Sequence, residues 1–137
     1  MSKQLRVTLI MFICLFACGH DNTPEGVADA FLFRYFIELN QRGALEFSTG
    51  LAEDKLNKEI ELTQNIRMTP DLDLAKHRPF IDYKLMNIQR RRDDAVTLFY
   101  DVTIENPGGA DSKREIVVTT TNTDGVWKVN NFDTFTK

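Results

Sequence analysis

Hydrophobic and polar positions follow three different patterns along this chain of 137 residues. The first is a nearly continuous apolar run over Val7–Phe16, interrupted only by Thr8. Between residues 24 and 67 the apolar side chains recur at helical spacing, and after Pro79 the spacing becomes two, which is typical of strands. Helices that precede strands predict an α+β domain, in which N-terminal helices pack on an antiparallel sheet of about four strands.

Two helical segments are predicted before the strands. The first begins at Thr23-Pro24-Glu25, with Thr as N-cap and Pro in the first turn, and runs to about Asn40, with Gly43 as its stop. Its apolar arc is wider than that of a surface helix, which indicates that it is covered on more than one side. The second segment, residues 44–67, is amphipathic and is interrupted at Ser48-Thr49-Gly50.

Four strands are predicted after a loop over residues 68–79. In the first strand the apolar phase slips at Met86, which indicates a β-bulge. Turn sequences lie at Asn106-Pro107-Gly108-Gly109 and Thr123-Asp124-Gly125, and connections this short favour an antiparallel meander. The predicted strands are Phe80–Gln89, Ala95–Glu105, Lys113–Thr121 and Val126–Phe135.

The apolar run at the start of the chain is typical of an export signal. Lys3 and Arg6 are the only charged residues before Cys18, and a run of about ten residues is shorter than the roughly 20 that a membrane-spanning helix needs. A core helix of the domain is the alternative, but this segment is apolar all round and lacks the polar face that a helix at the domain surface presents to solvent. We therefore expect residues 1–17 to be a cleaved signal peptide.

The sequence Leu15-Phe16-Ala17-Cys18 resembles the lipobox of bacterial lipoproteins, although Phe16 stands where a small residue is more common. This resemblance implies that Cys18 is the first mature residue and carries lipid, that residues 18–23 form a lipidated tether, and that the domain spans residues 24–137. It also implies an exported protein anchored on the periplasmic side of a membrane. The residue after Cys18 is Gly19. An Asp at this position would resemble an inner-membrane retention signal, so its absence there favours the outer membrane in a Gram-negative cell.

Charge and cysteine content exclude several classes of function. Without residues 1–17 the chain has 15 basic and 20 acidic residues, a net charge of −5, which argues against a nucleic-acid partner. The basic run Arg90-Arg91-Arg92 is followed at once by two aspartates, and we interpret it as a solvated hairpin turn rather than a phosphate or lipid head-group contact. No cofactor or metal is expected, because no thiol remains free and the acids Asp71, Asp73 and Asp82 are scattered.

The domain resembles the NTF2-like (cystatin-like) α+β roll. The residues that carry this resemblance are Thr23–Phe31 at the start of the long helix, Ala95–Phe99 in the clearest strand, and Asp124–Val129 near the end. In that family a curved sheet wraps the first helix and leaves a cone-shaped cavity. The resemblance implies such a cone here, with the following possible lining residues: Phe31, Tyr35, Leu98, Tyr100 and Trp127.

Two functions are compatible with these patterns. The first is a non-catalytic binding or scaffold module, tethered to the membrane, that takes an envelope protein partner or a small apolar ligand. The alternative is an isomerase- or dehydratase-like enzyme acting on an apolar substrate, as the family resemblance implies, with Tyr35 as hydrogen-bond donor. Tyr100, Asp101 and His77 are the other candidates, but Tyr100 and Asp101 are adjacent on a strand and must face opposite ways.

Overall fold

The fold is α+β, with helices packed against a four-stranded antiparallel sheet, as the sequence predicts. The computed structural model describes residues 20–67 and 78–137. The signal segment, Cys18 and His77 lie outside these residues. Within the described part the helices are α1 (Pro24–Leu32), a π-helical turn (Phe33–Ile37), α2 (Gln41–Leu45) and α3 (Gly50–Arg67). The strands are β1 (Phe80–Arg92), β2 (Ala95–Glu105), β3 (Ser112–Thr123) and β4 (Val126–Thr136).

Helix α1 begins as predicted but ends earlier. The Oγ1 of Thr23 accepts a hydrogen bond from the Gly26 N–H at 3.0 Å, which caps the helix. After the π-helical turn the chain reverses at Leu39, which has a φ of 52°. The predicted stop at Gly43 is wrong, because the Asn40 side chain accepts from the Gly43 N–H at 2.9 Å and begins the short helix α2 instead.

The predicted interruption before α3 is confirmed, and it joins the helices to the sheet. Ser48 and Thr49 lie between α2 and α3, and Gly50, the first residue of α3, has a φ of 55°. The Val129 N–H donates to Phe47 O and the Thr49 N–H donates to Val129 O, both at 2.8 Å. This segment therefore pairs with β4 in the manner of a short parallel strand.

The sheet is a meander in the order β1-β2-β3-β4. The predicted bulge is confirmed, since the β1–β2 register shifts between Leu85 and Asn87. Further shifts lie between Arg90 and Arg92 and between Thr119 and Thr120. The interpretation of Arg90-Arg91-Arg92 as a turn is wrong. These arginines end β1, where Arg90 pairs with Val96, and the hairpin turn is Asp93-Asp94.

The core lies between α1, α3 and the face of the sheet formed by alternate residues of β2, β3 and β4. Buried side chains from α1 and α3 pack there against Leu98, Ile116 and Val118, which have no exposed surface. Helix α1 contacts β4, β3 and β2, and α3 contacts β4. No helix in the described ranges has the length and apolar character that crossing a membrane requires.

Candidate functional site

A cleft of about 610 Å³ opens between α1 and β1. Helix α1 packs on the sheet mainly over β4 and β3, away from β1, so the first strand is left with space above it. Asp21, Glu25 and Asp29 line one wall of the cleft, and Tyr83 and Lys84 of β1 line the other. Tyr100 of β2 also lines it, and we name this space the Tyr100 cleft.

The hydroxyl of Tyr100 is the most unusual group in this cleft. Tyr100 is 1% exposed, and its Oη is buried without a hydrogen-bond partner in the part of the chain that the structure describes. Leaving a buried hydroxyl unpaired costs about 1–3 kcal/mol. Burial raises the pKa of Tyr100, and the nearby charge of Asp29 raises it further, so the hydroxyl remains protonated and can both donate and accept.

Asp29 lies next to the two tyrosines of the cleft. It is exposed at the surface of α1, yet partial burial of its carboxyl raises its pKa above the usual value. The Tyr83 hydroxyl donates to the backbone oxygen of Asp29 at 3.4 Å, and the Tyr83 and Tyr100 rings meet edge to face with centroids 6.0 Å apart. Burial, followed by the charges of Asp29 and Asp82, raises the pKa of Tyr83 to about 12.

A second cleft of about 570 Å³ adjoins the first. The two share Asp21, Gly26, Asp29 and Tyr83, so they form one groove along α1. The second cleft adds apolar wall from Phe33 and Phe47, and we name it the Phe33 cleft.

The segment before α1 forms one end of this groove. The His20 ring lies edge to face on Phe47 with centroids 4.6 Å apart. Gly26 permits this arrangement, because a Cβ at that position would lie 2.3 Å from the Asp21 backbone oxygen. Residues 20–23, which the sequence assigns to the tether, therefore contact the domain directly.

The five residues expected to line one cone lie in different environments. Phe31 and Leu98 have no exposed surface and lie in the packed core. Trp127 is partly buried against that core. It lies beside the segment before α1, where its backbone N–H donates to Asn22 Oδ1 at 3.0 Å. Of the five, Tyr100 lines the Tyr100 cleft, and none lines the Phe33 cleft.

Tyr35 lies in the π-helical turn and faces α3. Its hydroxyl donates to the Glu59 carboxylate, at 2.9 and 3.0 Å from the two oxygens. Its ring stacks on Phe31, with centroids 5.7 Å apart, and meets Phe132 at 5.1 Å. Burial, and then the charge of Glu59, raises the pKa of Tyr35. Tyr35 therefore forms a polar contact between helices and is separate from the groove.

Asp101 faces away from Tyr100, as strand alternation predicts. Its carboxylate pairs with the Lys137 ammonium on the opposite side of the sheet from the groove. His77, Asp71, Asp73 and Cys18 lie outside the described residues. Within the described ranges, no group of three or more His, Cys, Asp or Glu side chains is arranged to hold a metal ion.

The sequence pattern did not single out Asp29 or Tyr83. A signal for Asp29 exists, because it is a lone acid inside the wide apolar arc of α1, next to the buried Ala28. Tyr83 lies on the same strand face as Ile81 and Leu85 and so reads as an ordinary core aromatic. Asp29 and Tyr83 are close together because of where α1 lies over the sheet, and the spacing of residues in the sequence does not encode that position.

Comparisons with known proteins add no relative. No protein-family model matches the chain, and a search of curated proteins finds no significant match.

Proposed function

We propose that this protein is an exported bacterial lipoprotein whose domain binds a small molecule in the groove between α1 and β1. In this proposal Cys18 carries the lipid, the domain is an NTF2-like roll, and the protein acts by binding rather than by catalysis. The observation that carries it is Tyr100, which lines the cleft and whose buried hydroxyl has no hydrogen-bond partner among the described residues. Binding sites typically combine an apolar wall with a few polar groups that fix orientation.

The NTF2-like assignment is supported by the order of the elements and by the bulges. A long helical segment precedes a four-stranded meander, and bulges in β1 and between β3 and β4 bend strands and increase their twist. A sheet that curves around α1 is the geometry in which a cone forms. In this domain the interior at Phe31 and Leu98 is packed, so the open space lies at the side next to β1.

We do not extend the proposal to catalysis. Tyr35, the hydroxyl that the enzyme hypothesis requires as a donor, is engaged by Glu59 and lines neither cleft. Asp101 lies on the other face of the sheet. Binding of an envelope protein partner at another surface is compatible with a ligand in the groove.

Binding in the groove can be tested with three matched probes: 2-phenylethylamine, 2-phenylethanol and 3-phenylpropionate. The full chain is purified in non-ionic detergent and titrated while the backbone amide signals are recorded by NMR. We expect at least one probe to shift the signals of Asp29, Tyr83 and Tyr100 in a saturable manner. Tyr100→Phe should weaken that probe severalfold, because the hydroxyl contact is lost, whereas Tyr35→Phe should leave its affinity unchanged. If none of the three probes shifts these signals, the binding proposal is wrong.

The anchor is tested separately through Cys18. Lipid chains contribute about 0.8 kcal/mol per buried methylene, so two or three chains hold a protein firmly on a membrane. We expect Cys18→Ser to move the protein from the membrane to the soluble fraction and from the detergent phase to the aqueous phase. Cys14→Ser, four residues earlier, is the matched control and should leave partitioning unchanged. Partitioning of Cys18→Ser like the wild type would refute lipidation.

A further inference from the structure

We infer that the ligand of the groove is an organic cation, a protonated amine with an apolar body, whose ammonium group is held by Asp29 and Tyr100. This inference rests on the proposed function, since it specifies the ligand class of the same site. Three independent features support it: the charge of the walls, the spacing of the acids and the aromatic surface.

The walls of the groove carry more negative than positive charge. Asp21, Glu25 and Asp29 line the Tyr100 cleft. Lys84 is the basic residue in its wall, but it pairs in register with Asp101, so its side chain leaves the sheet on the face away from the groove. In the Phe33 cleft, Glu38 is paired with Arg34 at 2.6 Å.

The ion pairs of the described ranges leave two of these acids without a cation. Glu25 is paired with Arg90 at 2.8 Å, whereas Asp21 and Asp29 form no ion pair in those ranges. The negative potential that results also reaches the tyrosines, because Asp29 raises the pKa of both Tyr83 and Tyr100. A cation entering the groove meets an attractive potential, and an anion meets a repulsive one.

The acids of the groove are not grouped in the way that a bare metal ion requires. Asp21, Glu25 and Asp29 do not form a group that could coordinate a metal, as judged over the residues that the structure describes. A metal ion needs several oxygen ligands converging on one point, whereas an ammonium needs only separate acceptors within hydrogen-bond distance. The spacing of the carboxylates therefore favours an organic cation.

The aromatic walls of the groove can contact both the ammonium group and the apolar body of such a molecule. The rings of Tyr83 and Tyr100 lie edge to face, and an aromatic face attracts a cation. The unpartnered Tyr100 oxygen can accept an N–H hydrogen bond, which would satisfy this buried group. Phe33 and Phe47 extend the groove with apolar surface, on which the body of the ligand can lie.

The three probes of the binding test separate this inference from the proposal on which it rests. They share an aromatic ring and a short chain, and at neutral pH they carry a positive, a zero and a negative charge. We expect the amine to bind at least about tenfold more tightly than the alcohol, and the propionate to bind most weakly. Asp29→Asn should remove this preference, so that the amine binds no more tightly than the alcohol to the same variant. Asp111→Asn, in the exposed β2–β3 loop, is the matched control and should preserve it.

The outcomes of the experiment distinguish failure of the cationic ligand class from failure of binding in the groove. If the alcohol or the propionate binds in the groove as tightly as the amine, the cationic ligand class is wrong and the binding proposal stands. An amine preference that persists in Asp29→Asn also contradicts the inference. If no probe shifts Asp29, Tyr83 and Tyr100, both proposals fail together. Thermal unfolding of each variant, recorded in parallel, shows whether a lost preference reflects lost charge or lost fold.

Discussion

At the residue scale, two polar groups of the groove, on Tyr100 and Asp29, lower the stability of the folded protein. The Tyr100 hydroxyl is buried without a partner among the described residues, and the Asp29 carboxyl is partly desolvated and forms no ion pair with them. Each state costs free energy that a core Phe or a surface Asn at the same position would avoid. Local costs of this kind are expected where the groups serve binding, because the ligand then supplies the missing partner.

The three tyrosines of the chain give a spectroscopic test of this environment. Tyr35, Tyr83 and Tyr100 all have raised pKa values, and that of Tyr83 is about 12. We expect the native protein to show almost no tyrosinate absorbance at 295 nm up to pH 11, whereas the chain in denaturant titrates near pH 10. Native tyrosines that titrate near pH 10 would contradict the burial described above.

The same shifts make stability depend on alkaline pH. Between pH 10 and the higher native pKa values, the unfolded chain releases tyrosine protons that the folded protein retains. Proton release then favours unfolding, so the free energy of unfolding should be insensitive to these groups below about pH 9 and should fall as the pH rises above 10. Chemical denaturation at a series of pH values measures this slope, and a rise in stability above pH 10 would contradict it.

Asp29→Asn should stabilise the protein slightly at neutral pH. The raised pKa of Asp29 means that the folded state disfavours its charge. Because solvent screens this exposed carboxyl, removing the charge should raise the free energy of unfolding only slightly, within the roughly 0.5 kcal/mol typical of surface substitutions. The gain should disappear as the pH falls through the pKa of Asp29, where the wild-type carboxyl becomes neutral in both states. Denaturation at pH 7 and at pH 3 measures the difference, and clear destabilisation at pH 7 would show that Asp29 has a structural role.

At the element scale, the groove exists because of how α1 begins and what it packs against. A glycine inside a helix normally costs about 1 kcal/mol relative to alanine. Gly26 lies in α1 where the Asp21 backbone passes close to the helix. A side chain at position 26 would collide with the Asp21 backbone oxygen. The first turn of α1 and the segment before it are thus fitted to each other, and together they form the shared wall of both clefts.

Gly26→Ala should therefore destabilise the protein in spite of its better helix propensity. The added Cβ would lie 2.3 Å from a backbone oxygen, which cannot move without displacing residues 20–22. We expect a net loss of about 1–2 kcal/mol, as in other overpacked sites, and a change in the amide signal of His20. Gly109→Ala is the control, because its Cβ would make an ordinary contact at 3.4 Å, and its stability should stay within about 0.5 kcal/mol. A more stable Gly26→Ala would contradict the close approach.

At the scale of the whole molecule, the proposed anchor and the domain are nearly continuous. Only Gly19 separates Cys18 from His20, a chain length that can span at most about 7 Å, and His20 packs on Phe47. Asn22 ties the same segment to the β3–β4 hairpin, since its side chain donates to Gly125 O at 2.7 Å and accepts from the Trp127 N–H. A lipid on Cys18 would thus hold the groove close to the membrane surface.

Asn22→Ala should loosen this connection. It removes two hydrogen bonds between the N-terminal segment and the hairpin, and we expect a loss of about 1 kcal/mol, since both are at the surface. Limited proteolysis should cut residues 20–23 faster in the variant than in the wild type. Asn106→Ala is the comparison, because the Asn106 side chain donates to Ala110 O within its own loop. Equal cleavage rates in Asn22→Ala and the wild type would show that Asn22 does not hold the segment.

The helices and strands of this fold could be predicted from the periodicity of the sequence, but the residues at which they end were predicted less well. The Thr23 cap, the bulge at Met86 and the Asp124-Gly125 turn are local devices, each encoded by a few neighbouring residues. The end of the first helical segment was misread because Leu39 adopts a positive φ that usually marks glycine, while Gly43 lies inside the next helix. Arg90-Arg91-Arg92 was misread because β1 continues as a hydrogen-bonded strand despite its exposed charged residues.

The order of helices and strands, the meander and the lipobox resemblance at Cys18 follow from the amino-acid sequence, since each depends on short-range periodicity or on a contiguous motif. The position of the open space follows instead from how the elements pack. The residues expected around one cone separate into packed core at Phe31 and Leu98 and a polar contact at Tyr35. Asp29, Tyr83 and Tyr100, from three different elements, meet because α1 lies to one side of the sheet. Such a meeting depends on how large packed surfaces fit together, and no local pattern in the chain records it.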